Sequence, residues 1–141
     1  MLLHGLGDTW KPFFRLGEQL QRTLPQTAIL SVQAPIRVPL LEEDAWMWWD
    51  SFDSLGEVNM RPDPRRALRD MQNLFAYLTE PDTKGGCGWS MQHIHAFGFA
   101  QGGTVLLESL AAMRAQTLGS VTSVCGPLLS LPTYTPSLPI P

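Results

Sequence analysis

The order of elements in this chain predicts an α/β fold with a mostly parallel sheet flanked by helices. Three observations carry that expectation. Short apolar, β-branched runs alternate with longer stretches of helical period, as strands do when crossover helices join them. Glycine-rich turns follow two of those runs, after Leu3 and after Phe97, where α/β sheets collect their ligands. Finally, 141 residues with 44% hydrophobic side chains suffice for one domain with a proper core, so 1–141 reads as a single domain.

Each element has its own justification. Met1 to Leu3 reads as the end of a strand entering His4-Gly5-Leu6-Gly7-Asp8. A helix follows because Phe13, Leu16, Leu20 and Leu24 recur at three- and four-residue spacing, with Pro12 near its start and Pro25 as its stop. Thr27 to Val32 is apolar and β-branched and predicts a buried strand. From Pro35 to Pro62 no period is sustained, and a connection of that length is expected to be a lid or binding loop. It carries Glu42-Glu43-Asp44 and Trp46-Met47-Trp48-Trp49-Asp50.

Asp63 as N-cap and Pro64 as first helical residue open the next helix, whose Leu68, Met71, Leu74, Phe75 and Leu78 make one apolar stripe. Gly85-Gly86-Cys87-Gly88 breaks the chain. His93 to Phe99 predicts a strand, Thr104 to Met113 an apolar helix, and Ser120 to Cys125 a further strand. Beyond it Pro132, Pro136, Pro139 and Pro141 keep the tail extended and deny it ladder hydrogen bonds.

Composition excludes several classes. With 10 basic and 13 acidic side chains and a net charge of −3, there is no electrostatic footprint for nucleic acid. The cluster Arg61, Arg65, Arg66 and Arg69 reads as a solvated helix face. No apolar run approaches the ~20 residues of a membrane span. Cys87 and Cys125 neither make a disulfide framework nor have zinc spacing, so a reduced, cytoplasmic protein without metal or cofactor is expected. His93 and His95, two apart on a strand, would share a face, but no third ligand accompanies them. Cys125 reads as a buried structural thiol. Base stacking on Trp46 to Trp49 is opposed by the neighbouring acids.

A strand, then G-x-S-x-G, then a helix is the nucleophile elbow of α/β-hydrolases. Here the frame is Gly98-Phe99-Ala100-Gln101-Gly102, complete except at its chemical position. Alanine has no hydroxyl, so Ala100 cannot attack a carbonyl.

With that frame the chain resembles the phospholipase/carboxylesterase family, which includes the acyl-protein thioesterases. The resemblance rests on Leu2-Leu3-His4-Gly5-Leu6-Gly7-Asp8, Gln33-Ala34-Pro35-Ile36-Arg37, Trp48-Trp49-Asp50 and Gly98-Phe99-Ala100-Gln101-Gly102-Gly103, four motifs in the family's order. It implies an α/β-hydrolase fold and hydrolysis of carboxylic esters or thioesters. It also implies an oxyanion hole from the backbone N–H groups of Leu6 and Gln101. Trp48 and Trp49 fall where the family lines its acyl-binding face, although core packing would equally account for two tryptophans. His4 would support the oxyanion loop.

The triad acid and base should follow the nucleophile. After Ala100 the one acid is Glu108, on the helix behind the elbow, and there is no histidine. The chain therefore reads as catalytically inactive, a pseudoenzyme, and as lacking the family's C-terminal strands and helix. Natural absence of the serine explains Ala100 better than a deliberate substitution, since silencing a site that already lacks its base serves no purpose. Three functional readings stand at this point: a hydrolase frame that still binds an acyl ester or thioester; a binding module that holds a lipidated protein or peptide through its Trp46–Trp49 loop; and a shortened product with an exposed sheet edge. The oligomeric state is left open.

Overall fold

A computed structural model of the chain describes residues 1–113 and 117–129. The proline-rich tail with Pro132, Pro136, Pro139 and Pro141 lies outside the described residues.

A central strand of a parallel sheet is covered on both faces, and β1 (Leu2–Leu3) meets that demand with two buried leucines. It pairs in parallel with β2 (Ser31–Val32) on one side and β5 (His95–Phe99) on the other. β6 (Ser120–Val124) joins β5 along its full length, giving the order β2-β1-β5-β6. Strand β2 is shorter than the expected Thr27–Val32. It is an edge strand whose neighbour β1 is only two residues long, so residues 27–29 have no ladder partners.

Thr9 caps α1 (Trp10–Gln21), its hydroxyl accepting from the Lys11 N–H. The helix unwinds ahead of Pro25, leaving Leu24 beyond its end. Gly17 is the residue that α1 buries, against Leu2 and Ile29. Leu16 and Leu20 remain about two-fifths exposed (38% and 42%), so the periodic apolar stripe is wider than the contact it makes.

The stretch expected as an unstructured loop contains an antiparallel hairpin, β3 (Ile36–Arg37) and β4 (Trp46–Met47). Two-residue strands are too short to leave a period in sequence. Helix α2 (Arg65–Thr79) begins one residue later than expected, but Asp63 still does the capping, accepting the Arg65 amide at 3.0 Å. The Arg65 side chain and amide hold the Asp63 carboxyl down to about 2.

Phe97 and Gly98 of β5 point to opposite faces. Phe97 meets Phe13 of α1 (ring centroids 6.4 Å apart), whereas Gly98 abuts α3 (Gln101–Ala112). On the α3 side lies the core, where Met71 and Phe75 of α2 and Val105 and Leu106 of α3 pack with Leu3 and Ala96 of the sheet. On the α1 side Phe99 and Val124 are exposed, and β6 is an edge among the described residues.

Two sequence expectations need correction. β5 starts at His95, and His93 belongs to a 3-10 turn (Met91–His93), so the two histidines do not share a strand. His95 Nδ1 lies 2.8 Å from the Ser120 hydroxyl on the neighbouring strand. Cys125 is exposed rather than buried, because it follows the last paired residue of β6 and turns away with φ +57°.

Phe75 is fully buried while Tyr77, on the same helix, is mostly exposed. Phe75→Ala is expected to lower the urea-unfolding free energy by about 3–5 kcal/mol through the cavity it leaves. Tyr77→Ala, which opens no cavity, should change it by less than about 0.5 kcal/mol.

Candidate active site

The site is built where β1 and β5 end. After Phe99 the chain must reverse into α3 within one residue, and Ala100 takes φ +48° and ψ −118° to do so. That pair of angles mirrors the ordinary extended region and suits glycine at the first corner of a type II′ turn. An L-residue held there costs about 1–3 kcal/mol and persists only where its surroundings over-determine it. The Ala100 amide donates to the Val124 carbonyl at 2.8 Å, and the Ala100 carbonyl accepts from the Thr104 amide at 3.0 Å. A Cβ on Gly98 would lie 2.6 Å from the Gly102 carbonyl oxygen, and one on Gly102 would lie 2.5 Å from that of His4. Only glycine permits this approach, which makes the turn sharp.

The loop after β1 lies against the elbow. A Cβ on Gly5 would sit 3.4 Å from Cβ of Ala100. Among the described residues, neither the Leu6 nor the Gln101 amide N–H has an acceptor. Two free backbone donors thus belong to the two turns that flank Ala100, an arrangement able to hold a developing or existing oxyanion.

His4 organises this loop. It is fully buried. The Ala34 amide donates to Nε2 at 3.0 Å, so Nε2 is an acceptor, and Nδ1–H donates to the Gly5 carbonyl at 2.8 Å. Burial pushes its pKa down, with the Gly5 hydrogen bond and Asp8 opposing more weakly. The His4 carbonyl accepts from Trp48 Nε1 at 2.8 Å. The Gly7 amide donates to the Trp46 carbonyl and the Trp46 amide to that of Asp8, tying the loop to β4.

Trp48 and Trp49 are both buried in the main core beside Met71 and Phe75. Their rings face inward, and Trp48 supports the loop after β1 from beneath. Gln101 plays a part that no sequence spacing signalled. Its side-chain Oε1 accepts from the Trp48 amide at 2.9 Å and its Nε2 donates to Ser51 Oγ at 2.6 Å, latching the tryptophan loop to the elbow. Glu108 is buried four residues along α3 from Thr104 and accepts the Leu129 amide, while the Thr104 hydroxyl donates to the Pro127 carbonyl. Both side chains clamp the segment after β6, and Glu108 has no part at the rim. Among the described residues no histidine stands beside Ala100 on the α3 side of the sheet, since His93 and His95 lie at the opposite end of β5.

Comparisons with known proteins bear on the family and the fold. A family model described as phospholipase/carboxylesterase matches residues 1–139. An uncharacterized hydrolase of Mycosarcoma maydis is 46% identical over 97% of this chain and 52% of its own length. An uncharacterized hydrolase of Schizosaccharomyces pombe is 31% identical, with 99% of this chain and 58% of its own length aligned. The chain spans about half the length of these relatives. Among solved structures, a variant of Arabidopsis thaliana SOBER1 superposes with a TM-score of 0.61 at 20% identity, covering 89% of this chain and 59% of that one. SOBER1 itself gives 0.58 at 20% identity over 85% and 57%. The structural likeness shows the α/β-hydrolase fold.

Two measurements probe the site. Ala100→Gly should raise the unfolding free energy by up to about 1 kcal/mol, because glycine relieves the torsional strain and loses part of that gain to its own backbone entropy; a decrease would mean that Ala100 is unstrained. His4 is held neutral in the fold while the unfolded chain protonates it near its ordinary value of about 6.5. Its contribution is complete above that value and is lost as pH falls below it towards the lower folded pKa. Urea midpoints should therefore drop on acidification from about pH 7 to about pH 5, and His4→Asn should flatten that dependence.

Proposed function

The chain belongs to the phospholipase/carboxylesterase family of α/β-hydrolases, and from that premise we propose that it binds the carbonyl end of an acyl ester or thioester without turning it over. The observation that carries this reading is an elbow in its strained conformation, with an alanine at the nucleophile position and, flanking it, two amides without acceptors among the described residues.

The family reaction needs a hydroxyl at the elbow, a base to take its proton, and donors for the oxyanion. Leu6 and Gln101 supply the donors. Ala100 has no hydroxyl to attack with. An acyl carbonyl placed between the two amides would be polarised, yet nothing beside it would attack. Such donors are worth roughly 3–4 kcal/mol each to a developing oxyanion and less to a neutral carbonyl, so binding rather than rate is their remaining use.

Trp48 and Trp49 serve this site by fixing the loop from beneath. Their inward packing speaks against a module that captures partners on an exposed aromatic loop. Two exposed free thiols, Cys87 and Cys125, suit a reducing compartment, and we place the protein in the cytoplasm. Among the described residues, no helix is long and apolar enough to cross a membrane.

A p-nitrophenyl ester assay tests the absence of turnover: the chain should release nitrophenol no faster than buffer, and measurable turnover would sink the pseudoenzyme reading. Titration with a long-chain acyl thioester should shift the tryptophan fluorescence, since Trp48 touches the oxyanion loop. No shift at high micromolar ligand would count against acyl binding.

A further inference from the structure

Two amides can hold one carbonyl oxygen only if both point at it, so their directions matter as much as their freedom. A trans peptide sets its N–H opposite its own C=O, and no peptide among the described residues is cis. Whatever grips a carbonyl therefore aims the amide that follows it. The Gly5 carbonyl accepts from His4 Nδ1 at 2.8 Å, which turns the Leu6 N–H away from the buried imidazole. The Ala100 carbonyl accepts from the Thr104 amide at 3.0 Å, which points the Gln101 N–H back out of the start of α3. Each donor is aimed within its own segment, and neither bond sets one donor relative to the other.

Trp48 links them. Its backbone amide donates to Gln101 Oε1 at 2.9 Å, and its indole Nε1 donates to the His4 carbonyl at 2.8 Å. The first bond reaches the residue that owns one free amide. The second reaches the peptide just before the one that carries the other. Both bonds are buried, Trp48 is 3% exposed, and its ring centroid lies 5.7 Å from that of His4. A buried donor left without its acceptor costs free energy, so both ends are held. Gln101 is held in turn, because its Nε2 donates to Ser51 Oγ at 2.6 Å.

Other contacts join the same segments but fix different things. A Cβ on Gly102 would lie 2.5 Å from the His4 oxygen, a backbone approach that sets how near the two turns come. The Gly7 amide donates to the Trp46 carbonyl and the Trp46 amide to that of Asp8, which fixes the loop beyond Leu6. None of these contacts needs the indole N–H or the Gln101 side chain. Backbone sets the nearness of the two turns, and their relative tilt is left to Trp48.

We propose that Trp48 is a positioning residue, a strut that sets the Leu6 and Gln101 amides relative to each other so that both meet one carbonyl oxygen. It acts through the two donors and touches no ligand in this role. Its use in binding rests on the acyl-carbonyl reading above, whereas the coupling it makes between the two turns does not.

Two variants each cut one end of the strut: Trp48→Phe removes the indole N–H, and Gln101→Met removes the acceptor of the Trp48 amide. In the ligand-free protein, Gln101→Met should shift the Leu6 amide cross-peak in a nitrogen–proton correlation spectrum. In the Trp48→Phe background the same change should shift it much less. An unmoved Leu6 cross-peak, or an equal shift in both backgrounds, would overturn the strut. Binding is read by calorimetry with S-octanoyl-N-acetylcysteamine and with its thioether, S-octyl-N-acetylcysteamine, which lacks the carbonyl. The parent should prefer the thioester by about tenfold, and either variant should lose most of that preference while keeping its thioether affinity. Either variant alone decides this arm. If the parent shows no preference, the acyl-carbonyl reading fails while the cross-peak result still decides the strut. If the parent prefers the thioester and the variants keep that preference, or weaken on both ligands alike, the positioning role is overturned.

Discussion

The constraint on which the site depends is a backbone contact. Gly98 at the end of β5 and Gly102 in the first turn of α3 approach so closely that neither has room for a side chain. This leaves Phe99, Ala100 and Gln101 to reverse the chain, and Ala100 absorbs the reversal at a torsion that L-residues avoid. The strain is sustained by the parallel sheet, because β6 accepts the Ala100 amide and β1 presses its carbonyls against Gly102. The elbow is therefore a property of packing. It does not need a hydroxyl, and its geometry is intact around an alanine.

His4 extends that rigidity to the opposite wall. A neutral imidazole, buried and bonded at both nitrogens, joins the turn after β1 to the start of the β3 hairpin. The residue's carbonyl meanwhile anchors Trp48. Gln101 closes the circuit from the elbow side through the Trp48 amide and Ser51. A ring of hydrogen bonds thus binds three segments that are far apart in the chain. Buried networks of this kind are stable only when each member is satisfied, which explains why His4 must be neutral. Rim and core are consequently one structure, and the tryptophans act on the site by holding it in place.

Beyond the elbow, the rim divides by exposure. The hairpin and the following turn project leucines and carboxylates outward, while Trp48 and Trp49 between them point inward. One continuous segment thus serves packing with one set of residues and solvent with another.

Much of this was legible in the chain. The glycines at Gly5 and Gly7 and, four residues apart, at Gly98 and Gly102 mark the two turns at the site, and the Leu68-to-Leu78 stripe marks a helix seated on a core. Those patterns are local, so composition and period reveal them. Other features were hidden because they depend on partners distant in sequence. The length of β2 was set by how little of β1 lies beside it, and the paired β3 and β4 strands were too short to show a period. Trp48 and Trp49 could line a ligand or a core, and their burial followed from where α2 came to rest. The latch from Gln101 to Ser51 spans fifty residues, which no spacing rule connects. Local pattern determines what each segment can form; contacts across the fold determine which side chains it hides.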